Sequence, residues 1–302
     1  MESIGSTIEK KGHPRFNYEE LVAQILADPD VAAFIAKEAM SQQEIQRSIS
    51  KFNQYITERN RYLLGDDSYI AKGYKPILIK NEGFADVSYE ETPELIEAQR
   101  LEAIKDRISL VNMPSALKNV TFEDIDFDES SRREAYMALV DYVVDYPSNQ
   151  KGLYLYGDFG VGKSFMVAAL AYELSERKQA QTMLLHYPTF VQDAKDAIKE
   201  SKVRDLVDEV KRAPLLILDD IGAESNSSWV RDEVLQVILQ HRMHENLPTF
   251  FTSNFSFEDL ERHLANSRGG DETWQAKRVM ERIQFLAKEV RLGGYNRRNG
   301  QG

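Results

Sequence analysis

The sequence predicts an α/β protein, with a central parallel sheet covered by helices on both faces and preceded by a small, mainly helical domain. Three observations predict it. From about residue 131 onward, short apolar runs of strand length alternate with longer segments of helical period, the pattern of a parallel sheet with crossover helices. A glycine-rich turn, in "YLYGDFGVGKSF" over residues 154–165, stands directly between one such strand and one such helix. The first 65 residues instead carry three capped amphipathic helices.

The first dozen residues read as a frayed tail. Asn17-x-x-Glu20 then has the form of a capping box, opening a helix with Leu21, Val22, Ile25 and Leu26 on one side. Asp28-Pro29 starts a second helix, because proline is accommodated at the first helical position. Ser41-x-x-Glu44 opens a third, in which Ile45, Ile49, Phe52 and Ile56 fall on one stripe as far as Gly65. Two β-like pieces follow, "YKPILI" and "FADVSY", and Thr92-Pro93-Glu94 caps a helix expected to reach about Val111. "NMPSAL" and the acidic "TFEDIDFDES" read as a linker. Beyond it, helices are expected at 131–145, 163–177, twice within 188–212, and at 228–244, 256–265 and 273–285. Strands are expected at 152–156, 181–186, 214–219 and 248–253, all apolar enough to be buried on both faces.

The bulk numbers bound the function. At 302 residues and 42% hydrophobic, the chain has room for two domains with real cores. It has no cysteine, which excludes disulfides and thiolate metal sites. No early apolar run resembles a signal peptide and no segment approaches membrane-spanning length, so a soluble, cytoplasmic protein with no membrane partner is expected. A net charge of −11 argues against a chain that coats nucleic acid over its whole surface. The charge is polarised, however. Residues 82–134 hold fourteen acids against six bases, and the segment from Lys277 onward holds seven bases against two acids.

The glycine-rich turn carries the most specific chemistry. Gly157, Gly160, Gly162, Lys163 and Ser164 complete the pattern G-x-x-x-x-G-K-[ST]. Glycines let successive backbone N–H groups converge on a phosphate, the lysine reaches its outer oxygens, and the serine hydroxyl can ligate Mg²⁺. The nucleotide-binding stretch is therefore Gly157, Asp158, Phe159, Gly160, Val161, Gly162, Lys163, Ser164 and Phe165. "APLLILDDIG" ends a buried strand in two acids, which assigns Asp219, with Ser164, to magnesium and Asp220 to water activation. "PTFFTSN" puts Asn254 at another strand tip, either bonding the γ-phosphate or the lytic water, or capping the next helix. In "AKRVMERIQF", Arg278 and Arg282 lie one turn apart, either as a solvated basic face or with one of them as an arginine finger.

Together these parts resemble the AAA+ ATPases of the bacterial helicase-loader group, the DnaC/DnaI loaders, with IstB-type transposition helpers as cousins. The likeness covers nearly the whole chain, including "YIAKGYKP" and "ADVSYEETPELI". It implies an AAA+ P-loop NTPase domain at 131–302, an acidic linker at 111–130 and a helicase-binding domain at 1–110. It implies that Gly157 to Ser164 form Walker A, Asp219 and Asp220 Walker B, Asn254 sensor 1 and Arg278 the arginine finger. Arg297 is the expected sensor 2, with Arg298 as the alternative. ATP and Mg²⁺ are the implied cofactors. The implied partners are the hexameric replicative DNA helicase, single-stranded DNA, other primosome proteins and further copies of the chain. Some relatives hold zinc in their amino-terminal half; without cysteines, none is expected here. Two other readings share the catalytic parts: a transposase-assisting ATPase, and a nucleotide-gated adaptor that does not need hydrolysis. For DNA, Lys195, Lys199, Lys202 and Arg204 offer charge, and Tyr187 and Phe190 offer rings for base stacking or for the core.

Overall fold

The structure, a computed structural model, describes residues 18–127, 130–148, 151–225, 227–267 and 270–297. The chain divides into two units, residues 1–100 and 101–302.

In the first unit, α1 (Tyr18–Leu26), α2 (Pro29–Lys37) and α3 (Gln42–Leu64) follow the expected order. The expected cap at Asn17 and the tail before it lie outside the described residues. The Asp28 carboxylate accepts from the Asp30 and Val31 N–H groups, and Ser41 and Glu44 form the full capping box. Gly65, in the left-handed region, ends α3. Ile25, Val31, Ile49 and Phe52 make the core, and Arg59 of α3 clamps Asp28 through both of its terminal nitrogens. The two β-like pieces are an antiparallel hairpin, β1 (Tyr74–Asn81) and β2 (Phe84–Glu91), turning on Glu82 and Gly83, both at positive φ. The Ser48 hydroxyl of α3 accepts from the Ala85 N–H and fixes the hairpin to the helices.

The expected domain boundary at 110 and linker at 111–130 differ from what is observed. Helix α4 (Pro93–Asp106) stops five residues early, and Ile108–Val111 form a strand, β3, paired in parallel with a strand of the main sheet. The "linker" then packs through Val120, Phe122 and Ile125 into the core of the second unit. "ISLV" is too short to break a helical reading locally, and its stability comes from a partner far along the chain. A second strand was also not expected. Ala287–Arg291 form β10, whose Lys288, Glu289 and Arg291 disguise it as a polar tail.

Apart from one two-residue strand pair, the remaining elements match the expected alternation. They are α5 (Ser130–Asp145), β4 (Gly152–Tyr156), α6 (Lys163–Lys178), β5 (Thr182–His186), α7 (Tyr187–Asp196), α8 (Val203–Lys211) and β6 (Leu215–Asp219). After these come a helix with a π-turn at Val230–Leu235 that continues as α9 (Gln236–His244), then β7 (Thr249–Ser253) and α10 (Phe257–Ala265). A two-residue pair, β8 (Asn266–Ser267) and β9 (Gly270–Asp271), precedes α11 (Thr273–Leu286). The sheet order is β10-β4-β7-β6-β5-β3, with every pair parallel.

Alternate residues of each strand feed opposite cores. Leu155, Ile217 and Phe250 pack with α5 and α6 on one face; Tyr154, Leu216, Leu218 and Phe251 pack with α7, α9 and α11 on the other. Buried Arg242 donates to the Ala213 and Pro248 carbonyls and to Thr249 Oγ1, tying the starts of β6 and β7 to α9. From β4 the chain crosses over two strands to reach β5, then returns through β6 to β7. The crevice at the carboxyl ends of β4, β6 and β7 is therefore the switch point where open α/β sheets take ligands.

Candidate nucleotide site

Register aligns the strand tips at this crevice. Tyr156 pairs with Ser253, and His186 is level with Asp219. From the tip of β4 the loop 157–162 turns back to α6. A Cβ at Gly157 would lie 2.0 Å from the Leu292 carbonyl oxygen, and Gly162 sits at φ 93°, so both positions require glycine. The loop is pinned from several sides. The Gly157 N–H donates to the Ser253 carbonyl, the Arg297 N–H donates to the Gly160 carbonyl, and buried Arg132 donates to the carbonyls of Val161 and Asp126.

Lys163, on the first turn of α6, donates from Nζ to the carbonyls of Gly157 and Asp158 and, at 2.7 Å, to Asn254 Oδ1. The Asn254 amide donates in turn to Asp220 Oδ1 at 3.1 Å. One side chain thus joins the lysine of the glycine-rich loop to the second acid of β6. Helix α10 takes its cap from Ser256, which accepts from the Asp259 N–H, so the capping alternative for Asn254 does not hold.

Asp219 is 3% exposed and receives the Ser164 hydroxyl at 2.9 Å and the Thr252 hydroxyl at 2.6 Å. Burial pushes its carboxyl up, while the two hydroxyls pull the other way. A buried carboxylate served only by neutral donors is short of positive charge, and Ser164 Oγ with Asp219 supplies the hard oxygen ligands that Mg²⁺ takes. Asp220 is held at φ 62°, its N–H on Thr252 Oγ1 and the next N–H, of Ile221, on the Thr252 carbonyl. That left-handed geometry aims the carboxylate at Asn254.

These groups line a cavity of about 690 Å³. Arg297 lines it too, paired with Asp126 Oδ2 at 3.0 Å and stacked over the Tyr295 ring; Arg298 lies outside the described residues. Arg278 does not line the cavity: it is exposed on α11, where Arg282 donates to its carbonyl oxygen and to Gln240 Oε1. Lys195, Lys199, Lys202 and Arg204 are interleaved with Asp193, Asp196, Glu200 and Asp205 along α7, α8 and the turn between them, so they do not form a continuous cationic track. Base stacking by Tyr187 and Phe190 is ruled out by packing. Both lie in the core on the inner face of α7, with Tyr187 fully buried.

Sequence reasoning missed several residues of the site. Met113, Pro114 and Leu117, read as linker, add an apolar wall to the cavity, and Asp124 and Asp126 border it. Their signal is only positional, an apolar cluster ahead of α5 and well before the glycine-rich loop. Outside the cavity lining, Glu224, in the turn after β6, is 6% exposed and accepts from the Gly222 N–H at 2.7 Å. Burial pushes it up to about 7.

Comparison with known proteins bears on the same residues. Residues 1–89 match the family described as primosomal protein DnaI N-terminus, and residues 79–301 match the IstB-like ATP binding proteins. The replicative helicase loader DnaI of Bacillus subtilis is 38% identical over 99% of this chain and all of its own length. The replicative helicase loader DnaC of Escherichia coli K12 is 23% identical, over 52% of this chain and 66% of its own. A crystal structure of a candidate primosome component from Streptococcus pyogenes serotype M3 is 54% identical with a TM-score of 0.56, covering 65% of this chain and 97% of its own.

Proposed function

Since this chain belongs to the IstB-like ATP-binding family and joins to it a DnaI-type amino-terminal module, we propose that it is an ATP-dependent helicase loader. In this reading the AAA+ unit binds ATP with Mg²⁺ and hydrolyses it. The amino-terminal unit grips the hexameric replicative helicase, and the two together help place that helicase on single-stranded DNA. Other primosome proteins and further copies of the chain complete the assembly. The observation that carries the reading is the Lys163–Asn254–Asp220 chain, which couples the phosphate-binding lysine to the acid that would handle water.

The roles follow from chemistry. Backbone N–H groups of the 157–162 loop and the Lys163 ammonium hold the phosphates. Ser164 and Asp219 would hold Mg²⁺, which neutralises charge on the terminal phosphates when bound. Asp220 orients the attacking water and takes its proton, and Asn254 keeps that carboxylate aimed. Met113, Pro114 and Leu117 offer the base an apolar wall, and Arg297 answers phosphate charge. Arg278, exposed on α11 and away from its own cavity, would serve a neighbouring copy as an arginine finger.

The transposition-helper reading draws on the same IstB-like match over 79–301, but the amino-terminal match favours the loader. A gated adaptor would not need Asn254 between Lys163 and Asp220. The deciding experiment is co-elution with the replicative helicase in the presence of ATP, followed by ATP hydrolysis with and without single-stranded DNA. Retention of the helicase together with DNA-responsive hydrolysis supports the reading. A protein that neither retains helicase nor hydrolyses ATP would overturn it.

A further inference from the structure

Four basic side chains among the described residues line the nucleotide cavity: Arg132, Lys163, His186 and Arg297. Three of them are already engaged. Lys163 holds Gly157, Asp158 and Asn254, Arg132 holds the carbonyls of Asp126 and Val161, and Arg297 holds the Asp126 carboxylate. His186 takes no part in this scaffolding. Its Nδ1 lies 2.8 Å from the Thr189 hydroxyl, and its Nε2 has no hydrogen-bond partner among the described residues.

Register fixes where that ring stands. His186 ends β5, level with Asp219 at the end of β6, and Thr252 of β7 donates to Asp219 from the other side. Adjacent strands lie about 4.8 Å apart, so these residues form a short polar row across three neighbouring strand tips. Side chains alternate between faces along a strand, and two positions earlier Leu184, Ile217 and Phe250 pack with α6. The row therefore shares the face covered by α6, whose first turn carries Lys163 and Ser164. His186 stands at its end farthest from β4, the strand that leads into the phosphate loop. A nucleotide held by that loop, its outer phosphate drawn along by Lys163 and Ser164, extends towards the β6 and β5 tips.

We propose that His186 reads the terminal phosphate of the bound nucleotide, donating from Nε2 to one of its oxygens, and that Thr189 positions the ring. The assignment rests on the nucleotide reading above and deepens it. A neutral imidazole carries one N–H. When the Thr189 hydroxyl donates to Nδ1, the ring proton sits on Nε2, where an anion needs it. Thr189, in the first turn of α7, makes no other side-chain hydrogen bond among the described residues, so its hydroxyl proton is available for that contact. ADP lacks the phosphate concerned, so His186 gives the cavity a preference for the triphosphate that the loop, which holds the phosphates common to both, does not supply.

The test measures the Kd of the full chain for a non-hydrolysable ATP analogue and for ADP, each with Mg²⁺, by equilibrium titration. His186→Ala should weaken the analogue about tenfold, the loss of one hydrogen bond to a charged group, and ADP by less than about twofold. His186→Gln keeps an N–H donor at nearly the reach of Nε2 and should recover most of that loss. Thr189→Val leaves the ring but frees it, and should cost the analogue about threefold and ADP nothing. Melting temperatures without nucleotide should be unchanged in all three. Equal weakening of both nucleotides by His186→Ala, or weakening of neither, overturns the assignment, as does a glutamine variant no better than the alanine one. A Thr189→Val protein with the full preference for the analogue overturns the positioning role alone. A wild type that binds neither nucleotide would instead overturn the nucleotide site, and this assignment with it.

Discussion

Replacing Glu224 by glutamine should make the second unit more stable at pH 8 and remove part of its pH dependence. The carboxyl is almost fully enclosed, with burial the largest influence on it, the neighbouring Asp220 charge adding in the same direction and the Gly222 N–H opposing. Its value rises from 4.5 to about 7. An acid raised on folding binds its proton more tightly in the folded state than in the unfolded one, so stability is lost as pH climbs from about 4.5 through about 7. At about 1.4 kcal/mol per unit, the penalty at pH 8 is roughly 3 kcal/mol. Glutamine keeps an acceptor for the Gly222 N–H and carries no charge to desolvate. Urea denaturation of both proteins at pH 5 and pH 8 checks this. The wild type should lose about 2–3 kcal/mol between the two conditions relative to the variant, the two being nearly equal at pH 5. Parallel stability profiles for the two proteins would refute the assignment of that charge burial to Glu224.

Lys163→Ala should abolish tight binding of an ATP analogue, whereas Asn254→Ala should keep binding and lower turnover roughly a hundredfold, read by equilibrium titration and phosphate release. Arg278→Ala should bind ATP but hydrolyse it poorly, and mixing it with Lys163→Ala should restore some hydrolysis; no recovery despite confirmed co-assembly would count against a finger working between copies. A chain beginning at Leu101 should melt cooperatively. One beginning at Ser131 should not, because it lacks Ile108, Val120, Phe122 and Ile125, four buried side chains worth about 1.5–3 kcal/mol each against a typical total of 5–15.

The legible parts of the molecule were those whose signal is local. Ser41 and Glu44 cap α3 because both partners sit within one turn of the chain. Gly157 to Ser164 could be read because close backbone approach admits few residue types, and β6 because five successive positions are buried on both faces. What failed was decided by distant partners. β3 and β10 owe their existence to β5 and β4, and nothing within "ISLV" or "AKEVR" records that pairing. Met113 and Leu117 look like loop residues until the fold carries them to the cavity. Tyr187 was ambiguous because an aromatic opening a helix serves core and surface equally well in sequence; only the packing of α7 on the sheet decides it. Asn254 was ambiguous until Ser256 proved to be the cap.

The last strand also sets when this protein can first work during its synthesis. The Leu292 N–H, just past β10, donates to the Tyr156 carbonyl at 2.7 Å, and Arg297 closes on Gly160. Two of the contacts that hold the phosphate loop and its strand thus come from the last part of the second unit, whereas the loop itself leaves the ribosome much earlier. Chains grow from the amino terminus at about 5–20 residues per second, so there is an interval of several seconds in which the complete glycine-rich motif exists without its backing. During that interval the nascent chain carries the signature without the backing from β10 and Arg297. Molecules broken off before β10 should therefore bind nucleotide more weakly than the full chain.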